Sequence, residues 1–174
     1  MRPPLSSSSL PPLWALVFGI LVLAVVVLAS RRRRRTVEPA PVPSVTPEDI
    51  PAVLAALSSE GKEGDFAVFL FSESGQPPAP TDALNVQFSI ESGRIGIDWV
   101  LLAPLNINNE ARFVAFAERS GRSVQKRQSK DVRYLRVEGA GLAELLQQLL
   151  MTEFGVRLDQ ALGLIANGFE WDVE

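Results

Sequence analysis

The chain has 174 residues, of which 47% are hydrophobic, and it carries a formal net charge of −3. It contains neither cysteine nor histidine, which excludes disulfides, zinc sites built on these residues, and catalysis by a thiolate or an imidazole. The charge is divided unevenly: residues 1–35 hold six arginines and no acid, whereas residues 47–174 hold 19 acidic and 11 basic residues.

The first predicted element is a transmembrane helix over residues 13–30. Its first 17 residues, LWALVFGILVLAVVVLA, carry no charge, and a helix from Leu10 to Ser30 would rise roughly 31 Å, close to the thickness of one hydrocarbon core. Trp14 lies near its start, where interfacial aromatic residues are common. A cleaved signal peptide is the alternative, but such a peptide carries its charge before the apolar region, and here only Arg2 precedes it.

Five consecutive arginines follow the apolar segment. They are Arg31, Arg32, Arg33, Arg34 and Arg35. Because positively charged flanks stay on the cytoplasmic side, we predict a cell-membrane protein with a short extracytoplasmic N-terminus, residues 1–12, and a cytoplasmic C-terminal part. The arginines can also contact anionic lipid headgroups. Residues 31–46 then comprise the arginine run and a proline-rich linker, TVEPAPVPSVT.

Residues 47–174 are predicted to form an α+β domain. Thr46 is suited to cap a helix that places Ile50, Val53 and Leu57 on one face. The continuously apolar FAVFLF, residues 66–71, is typical of a buried strand.

The clearest local signal is a β-hairpin made of LNVQFSIE and RIGIDWVL around Ser92-Gly93. In this register Ile90 faces Ile95 and Phe88 faces Ile97, so one side of the hairpin is apolar. The other side pairs polar residues, Gln87 with Asp98 among them. We therefore expect Asp98 to lie on the solvent-facing side of the sheet.

The remaining elements are two helices and two further hairpins. Asn108 is predicted to cap a helix that ends at Gly121, and GLAELLQQLLMTEFG is predicted as a second helix with a leucine stripe. The hairpins are SVQKRQ with VRYLRV, around Ser129-Lys130, and LGLIA with FEWDV, around Asn167-Gly168. The order α-β-β-β-α-β-β-α-β-β predicts an antiparallel sheet with about three helices on one face.

Up to residue 154, this order of elements and the acidic character resemble the small α+β chaperones of type III secretion. The resemblance implies a dimer that holds an unfolded segment of a partner protein. From the third strand onward the order also matches βαββαβ, the ferredoxin-like arrangement.

A basic segment, residues 119–136, stands out in this acidic domain. Its seven basic residues are Arg119, Arg122, Lys126, Arg127, Lys130, Arg133 and Arg136, against one acid, Asp131. We expect it to contact anionic lipid headgroups or an acidic partner surface, and a solvated hairpin without function is the alternative. The many acids elsewhere argue against nucleic acid as the ligand.

No catalytic, cofactor-binding or metal-binding constellation is visible in the sequence. The predicted function is therefore that of a single-pass membrane protein presenting a cytoplasmic interaction or scaffolding domain. Its expected partners are the lipid bilayer and a protein or a second copy of the chain. Two alternatives stay open: a chaperone-like binder of an unfolded partner segment, and an enzyme of unknown class that uses carboxylates clustered in a pocket.

Overall fold

The alternating and continuously apolar segments of the domain fold into one antiparallel sheet in the computed structural model, which describes residues 43–72 and 83–171. The strands are β1 (Ser44–Val45), β2 (Phe66–Phe71), β3 (Leu84–Glu91), β4 (Arg94–Val100), β5 (Gln125–Ser129), β6 (Val132–Glu138) and β7 (Leu162–Asn167). The helices are α1 (Ile50–Glu60), α2 (Pro104–Asn108), α3 (Glu110–Arg119) and α4 (Leu142–Gln148). A 3-10 turn (Pro47–Asp49) precedes α1, and a π-helical turn (Leu149–Glu153) extends α4.

The predicted transmembrane helix, residues 13–30, lies outside the described residues, as do Arg31–Arg35 and residues 36–42 of the linker. Residues 43–46 of the predicted linker are described, and Ser44 and Val45 form β1 of the sheet. Across residues 43–72 and 83–171, no helix combines the length and the apolar character that a bilayer span requires.

The seven strands follow the order β1-β7-β2-β3-β4-β6-β5, and every neighbouring pair is antiparallel. The predicted α+β class and antiparallel sheet are confirmed. The β3–β4 hairpin also has the predicted register, with Ile90 opposite Ile95 and Phe88 opposite Ile97. Ser92 and Gly93 both have positive φ, 53° and 69°, which matches the right-handed twist of a two-residue hairpin.

The helices cover one face of the sheet, and the hydrophobic core lies between the helices and that face. The five leucines of the predicted stripe are all buried there: Leu142, Leu145, Leu146, Leu149 and Leu150. The Trp99 ring stacks against the rings of Phe113 and Phe154, with centroids 5.3 and 5.6 Å away. Trp99 Nε1 donates to the carbonyl oxygen of Asn106 at 2.9 Å, so this large side chain is buried without losing its hydrogen bond.

Three local predictions are wrong in detail. The helix predicted to begin after Asn108 is α3, which begins one residue later, after Asn109, and a separate short helix before it, α2, which Pro104 starts, was not predicted. The β5–β6 turn consists of Lys130 and Asp131 rather than Ser129 and Lys130, since Ser129 pairs with Val132.

The predicted C-terminal hairpin is the third difference. No strand follows β7 as far as Trp171, where the described residues end. One side of β7 pairs with β2, and β1 occupies part of the other side. Gly168 lies so close to Asp65 that an added Cβ would be 1.9 Å from its Cγ, and Phe169 and Trp171 pack against the core instead of pairing.

Candidate functional site

The structure separates the seven residues of the basic segment by their place in the sheet. Five are exposed, namely Arg119, Lys126, Arg127, Lys130 and Arg133. Arg122 is half-buried, and Arg136 is 0% exposed. The predicted continuous basic surface is therefore smaller than the sequence suggested, and Arg136 does not belong to it.

Arg119 and Arg122 hold parts of the fold together. The guanidinium of Arg119 pairs with Glu153 of the π-helical turn, and Arg112 lies 3.8 Å from the same carboxylate. Arg122 Nη2 donates to the carbonyl oxygen of Ala140 at 2.5 Å, next to the start of α4. These contacts tie α3 and the loop after it to α4 and its extension.

The other four exposed residues lie on the β5–β6 hairpin, and we call them the basic edge: Lys126, Arg127, Lys130 and Arg133. Lys126 lies opposite Leu135, on the sheet face that the helices cover, while Arg127 lies opposite Tyr134 on the other face. Gln125 accepts hydrogen bonds from Nε and Nη2 of Arg127, at 3.2 and 2.6 Å. The basic edge thus presents positive charge on both faces of the strand that ends the sheet.

Arg136 occupies the interior of the sheet because β6 lies between β4 and β5. Strand alternation directs its side chain away from the helices, on the opposite face from Leu135 and Val137. There the guanidinium lies over Gly96, where an added Cβ would be 2.5 Å from its Cζ. The absence of a side chain at Gly96 makes room for this buried charge.

All five N–H donors of the Arg136 guanidinium have acceptors. Nε donates to Glu138 at 2.8 Å, Nη1 donates to Asp98 at 2.8 Å and to Ser89 Oγ at 2.9 Å, and Nη2 donates to the carbonyl oxygens of Arg94 at 2.9 Å and Ser89 at 3.3 Å. A buried guanidinium is stable only when its donors are paired in this way.

Asp98 is the second buried charge. It lies on the predicted side of the sheet, away from the helices, but the expectation that it is exposed there is wrong. Its side chain is 0% exposed and accepts hydrogen bonds from Arg136, from Ser89 Oγ and, at 3.4 Å, from Gln87 Nε2. Burial raises the pKa of Asp98 to about 7, although the Arg136 charge and the Ser89 hydrogen bond oppose that rise. Glu91 lies 3.8 Å from Arg136 and repels the Asp98 charge, which also raises this pKa.

We call Arg136, Asp98, Ser89 and Glu138 the buried ion network. The carboxylate of Glu138 also pairs with Arg94 at 3.0 Å, and its hydrogen bond to Arg136 lowers the pKa of Glu138. The acids therefore cluster, as the enzyme alternative requires. However, Asp98 and Ser89 are fully buried and hydrogen-bonded to each other and to Arg136, an arrangement that joins β3, β4 and β6. No metal-binding group of three or more acids occurs within the described part of the chain.

A shallow groove of about 890 Å³ lies beside this network. Its walls come from α1, the β3–β4 turn and the start of α4, and include Leu54, Ile95 and Leu142. Arg94, Glu138 and Glu144 are its charged lining residues, and Glu138 pairs with Arg94.

No protein family, curated protein or solved structure matches this chain. One feature of the sequence does indicate the buried ion network, although hydrophobic periodicity does not detect it. Gly96 lies in the middle of a regular strand, and a glycine there marks the close approach of another group.

Proposed function

We propose that this protein is a single-pass membrane-anchored interaction domain that docks an acidic protein partner on its basic edge. The observation that carries the proposal is the hairpin at the end of the sheet, where Lys126, Arg127, Lys130 and Arg133 are all exposed. Such a concentration of positive charge in an acidic domain steers an acidic surface to this one place and repels other orientations.

The sequence supports a position close to the bilayer. The part of the proline-rich linker that precedes β1, residues 36–43, spans at most roughly 25 Å if it adopts a polyproline II conformation. A domain on such a tether samples partners near the cytoplasmic face, which raises their effective concentration.

Site-specific photo-crosslinking in cells tests this function on the full chain. A photoreactive amino acid at Gln128, beside the basic edge, should form adducts with a protein partner. The same amino acid at Ser58, on α1, is the matched control and should not form the same adducts. Reversing Lys126 and Arg127 to glutamate should remove the adducts. If the adducts at Gln128 persist after that reversal, or if none form, the proposed function is wrong.

Anionic headgroups are the competing ligand for the same charges, and vesicles distinguish the two. Binding of the full chain in neutral nanodiscs to vesicles containing anionic lipid should not weaken after Lys126→Glu with Arg127→Glu, since the acidic remainder of the domain repels the vesicles and any attraction by Arg31–Arg35 is the same in both proteins. Binding that weakens with this double substitution, and that fades as the screening length falls from about 10 Å at 0.1 M salt to about 3 Å at 1 M, would favour a lipid ligand instead.

A further inference from the structure

The outer edge of β5 carries main-chain groups that pair with no other strand in the described part of the chain. β5 is the last strand of the sheet and pairs only with β6 among the described strands. Because Ser129 and Val132 flank a two-residue turn, they form a hydrogen-bonded pair, as does Arg127 with Tyr134 two residues further along. The N–H and C=O groups of Lys126 and Gln128 must then point away from β6. They form a row that another strand could bind.

A second copy of the chain fits this edge poorly. If the outward groups of Lys126 pair with those of Gln128 from another copy, the two Arg127 side chains lie directly opposite each other. If the pairing of the two strands is centred on Lys126, the Lys126 side chains of the two copies lie opposite each other. If it is centred on Gln128, Lys126 of one copy lies opposite Lys130 of the other. Each of these three antiparallel registers, which centre the pairing on residues 126–128, therefore brings like charges together, and this destabilises the pair.

We propose that the outer edge of β5 binds an extended acidic segment of a protein partner as an additional strand of the sheet. This inference rests on the proposed function and specifies how the partner is held. Main-chain hydrogen bonds supply affinity in strand addition, and side-chain contacts supply specificity. The positive side chains of β5 that repel a second copy of the chain attract an acidic segment.

The two faces of β5 specify the pattern of the acidic segment. Lys126 and Arg127 are successive residues, so they project from opposite faces. A strand that meets both needs two adjacent acidic residues, one for each face. Gln125 already holds the Arg127 guanidinium with two hydrogen bonds, and this reduces the ordering that binding requires.

The test uses the full chain in neutral nanodiscs and a capped peptide, VTEETV, as the probe. Two forms of the peptide carry N-methyl groups at alternate nitrogens and keep its charge. In one form the methyl groups replace the hydrogens of the N–H groups that would face β5. In the other form they replace only the hydrogens of the N–H groups that would point away from β5. We expect the first form to bind about tenfold more weakly than the parent peptide, and the second to bind about as well. A peptide with lysine in place of both glutamates should not bind.

Hydrogen exchange of single amides supplies a second measurement. The amides of Lys126 and Gln128 should exchange fast in the free protein and slow markedly when the peptide binds. The amides of Arg127 and Ser129, which are already bonded to β6, should change little. Gln128→Pro should remove binding because it deletes an outward N–H, whereas Gln128→Ala, its control, should keep it. The methylated peptides test the unaltered protein, so they remain decisive if Gln128→Pro does not fold.

Equal affinity of both methylated forms, or uniform exchange changes along β5, would overturn strand addition. That result would leave charge alone as the basis of binding, and the proposed function would stand. Failure of the acidic peptide to bind would also overturn strand addition. The crosslinks at Gln128 in cells decide the proposed function separately, since they require a bound partner but no particular backbone geometry.

Discussion

Replacing Arg136 by methionine tests whether the buried ion network holds the sheet together. The substitution removes five hydrogen bonds and leaves Asp98 buried without its cation. Removing one partner of a buried pair costs about 3–5 kcal/mol because the other charge is left uncompensated. Protonation of Asp98 limits the loss, since burial already raises the pKa of Asp98 to about 7. We therefore expect a decrease of about 3 kcal/mol in the free energy of unfolding at pH 7.

The matched control removes both charges, as Asp98→Leu with Arg136→Met. An apolar pair of similar volume carries no uncompensated charge, so it should regain at least half of the lost free energy. Urea unfolding of the full chain in detergent micelles measures both effects, with the near-ultraviolet circular dichroism of the packed Trp99 as the signal. If Arg136→Met lowers stability by less than about 1 kcal/mol, or if the double variant is no better than the single one, the network does not hold the sheet.

Three further predictions follow from the same contacts and from the sequence. The contribution of Asp98 to stability should fall as pH rises from about 4 to about 7, by at most about 4 kcal/mol, because the raised pKa of Asp98 means that the folded state binds the proton more tightly. The lowered pKa of Glu138 acts in the opposite direction, so the contribution is measured as the difference between the unaltered chain and Asp98→Asn in urea titrations at several pH values, and no dependence of that difference on pH would contradict the prediction. Gly96→Ala should lower the free energy of unfolding by about 1–3 kcal/mol, because the Cβ of the alanine would displace the Arg136 guanidinium. Urea unfolding should show a smaller loss when Gly96→Ala is made in the Arg136→Met variant, and an equal loss would contradict this reason. A C-terminal reporter that fluoresces only in the cytoplasm should be bright, because the predicted topology places the C-terminal part there. Replacing Arg31–Arg35 by serine should reduce this fluorescence. A reporter on the unaltered chain that is active only outside the cytoplasm, and gives a strong signal, would refute the predicted topology.

Local patterns were enough to predict some elements of this fold but not others. The β3–β4 hairpin was predictable because its period-two alternation and its Ser92-Gly93 turn lie within one short stretch. The pairing of β1 with β7 joins residues such as Val45 and Leu162 that are far apart in the chain. The turn signal at Asn167-Gly168 gave no information about that distant pairing, and so the C-terminal hairpin was predicted wrongly.

The candidate site was also predictable only in part from local patterns in the sequence. The exposed hairpin was predictable, because residues 125–131 around its short turn, QKRQSKD, are all polar or charged. The burial of Asp98 and Arg136 depends on β4 lying beside β6, a contact between residues 38 positions apart. Composition alone grouped Arg136 with its basic neighbours, since the sequence does not state which strands are interior to the sheet.

The interior position of β6 also links the two features of this hairpin. β5 has no neighbour other than β6 among the described strands, and the centre of β5, residues 126–128, is exposed. Its place therefore depends on β6, which four of the hydrogen bonds of Arg136 fix against β3 and β4. In the register of the hairpin Gln125 lies opposite Arg136 and hydrogen-bonds the exposed Arg127. A charge buried at the centre of the sheet thus sets the position of the charges that we propose as the binding edge, and loss of Arg136 should loosen β5 before the rest of the sheet unfolds.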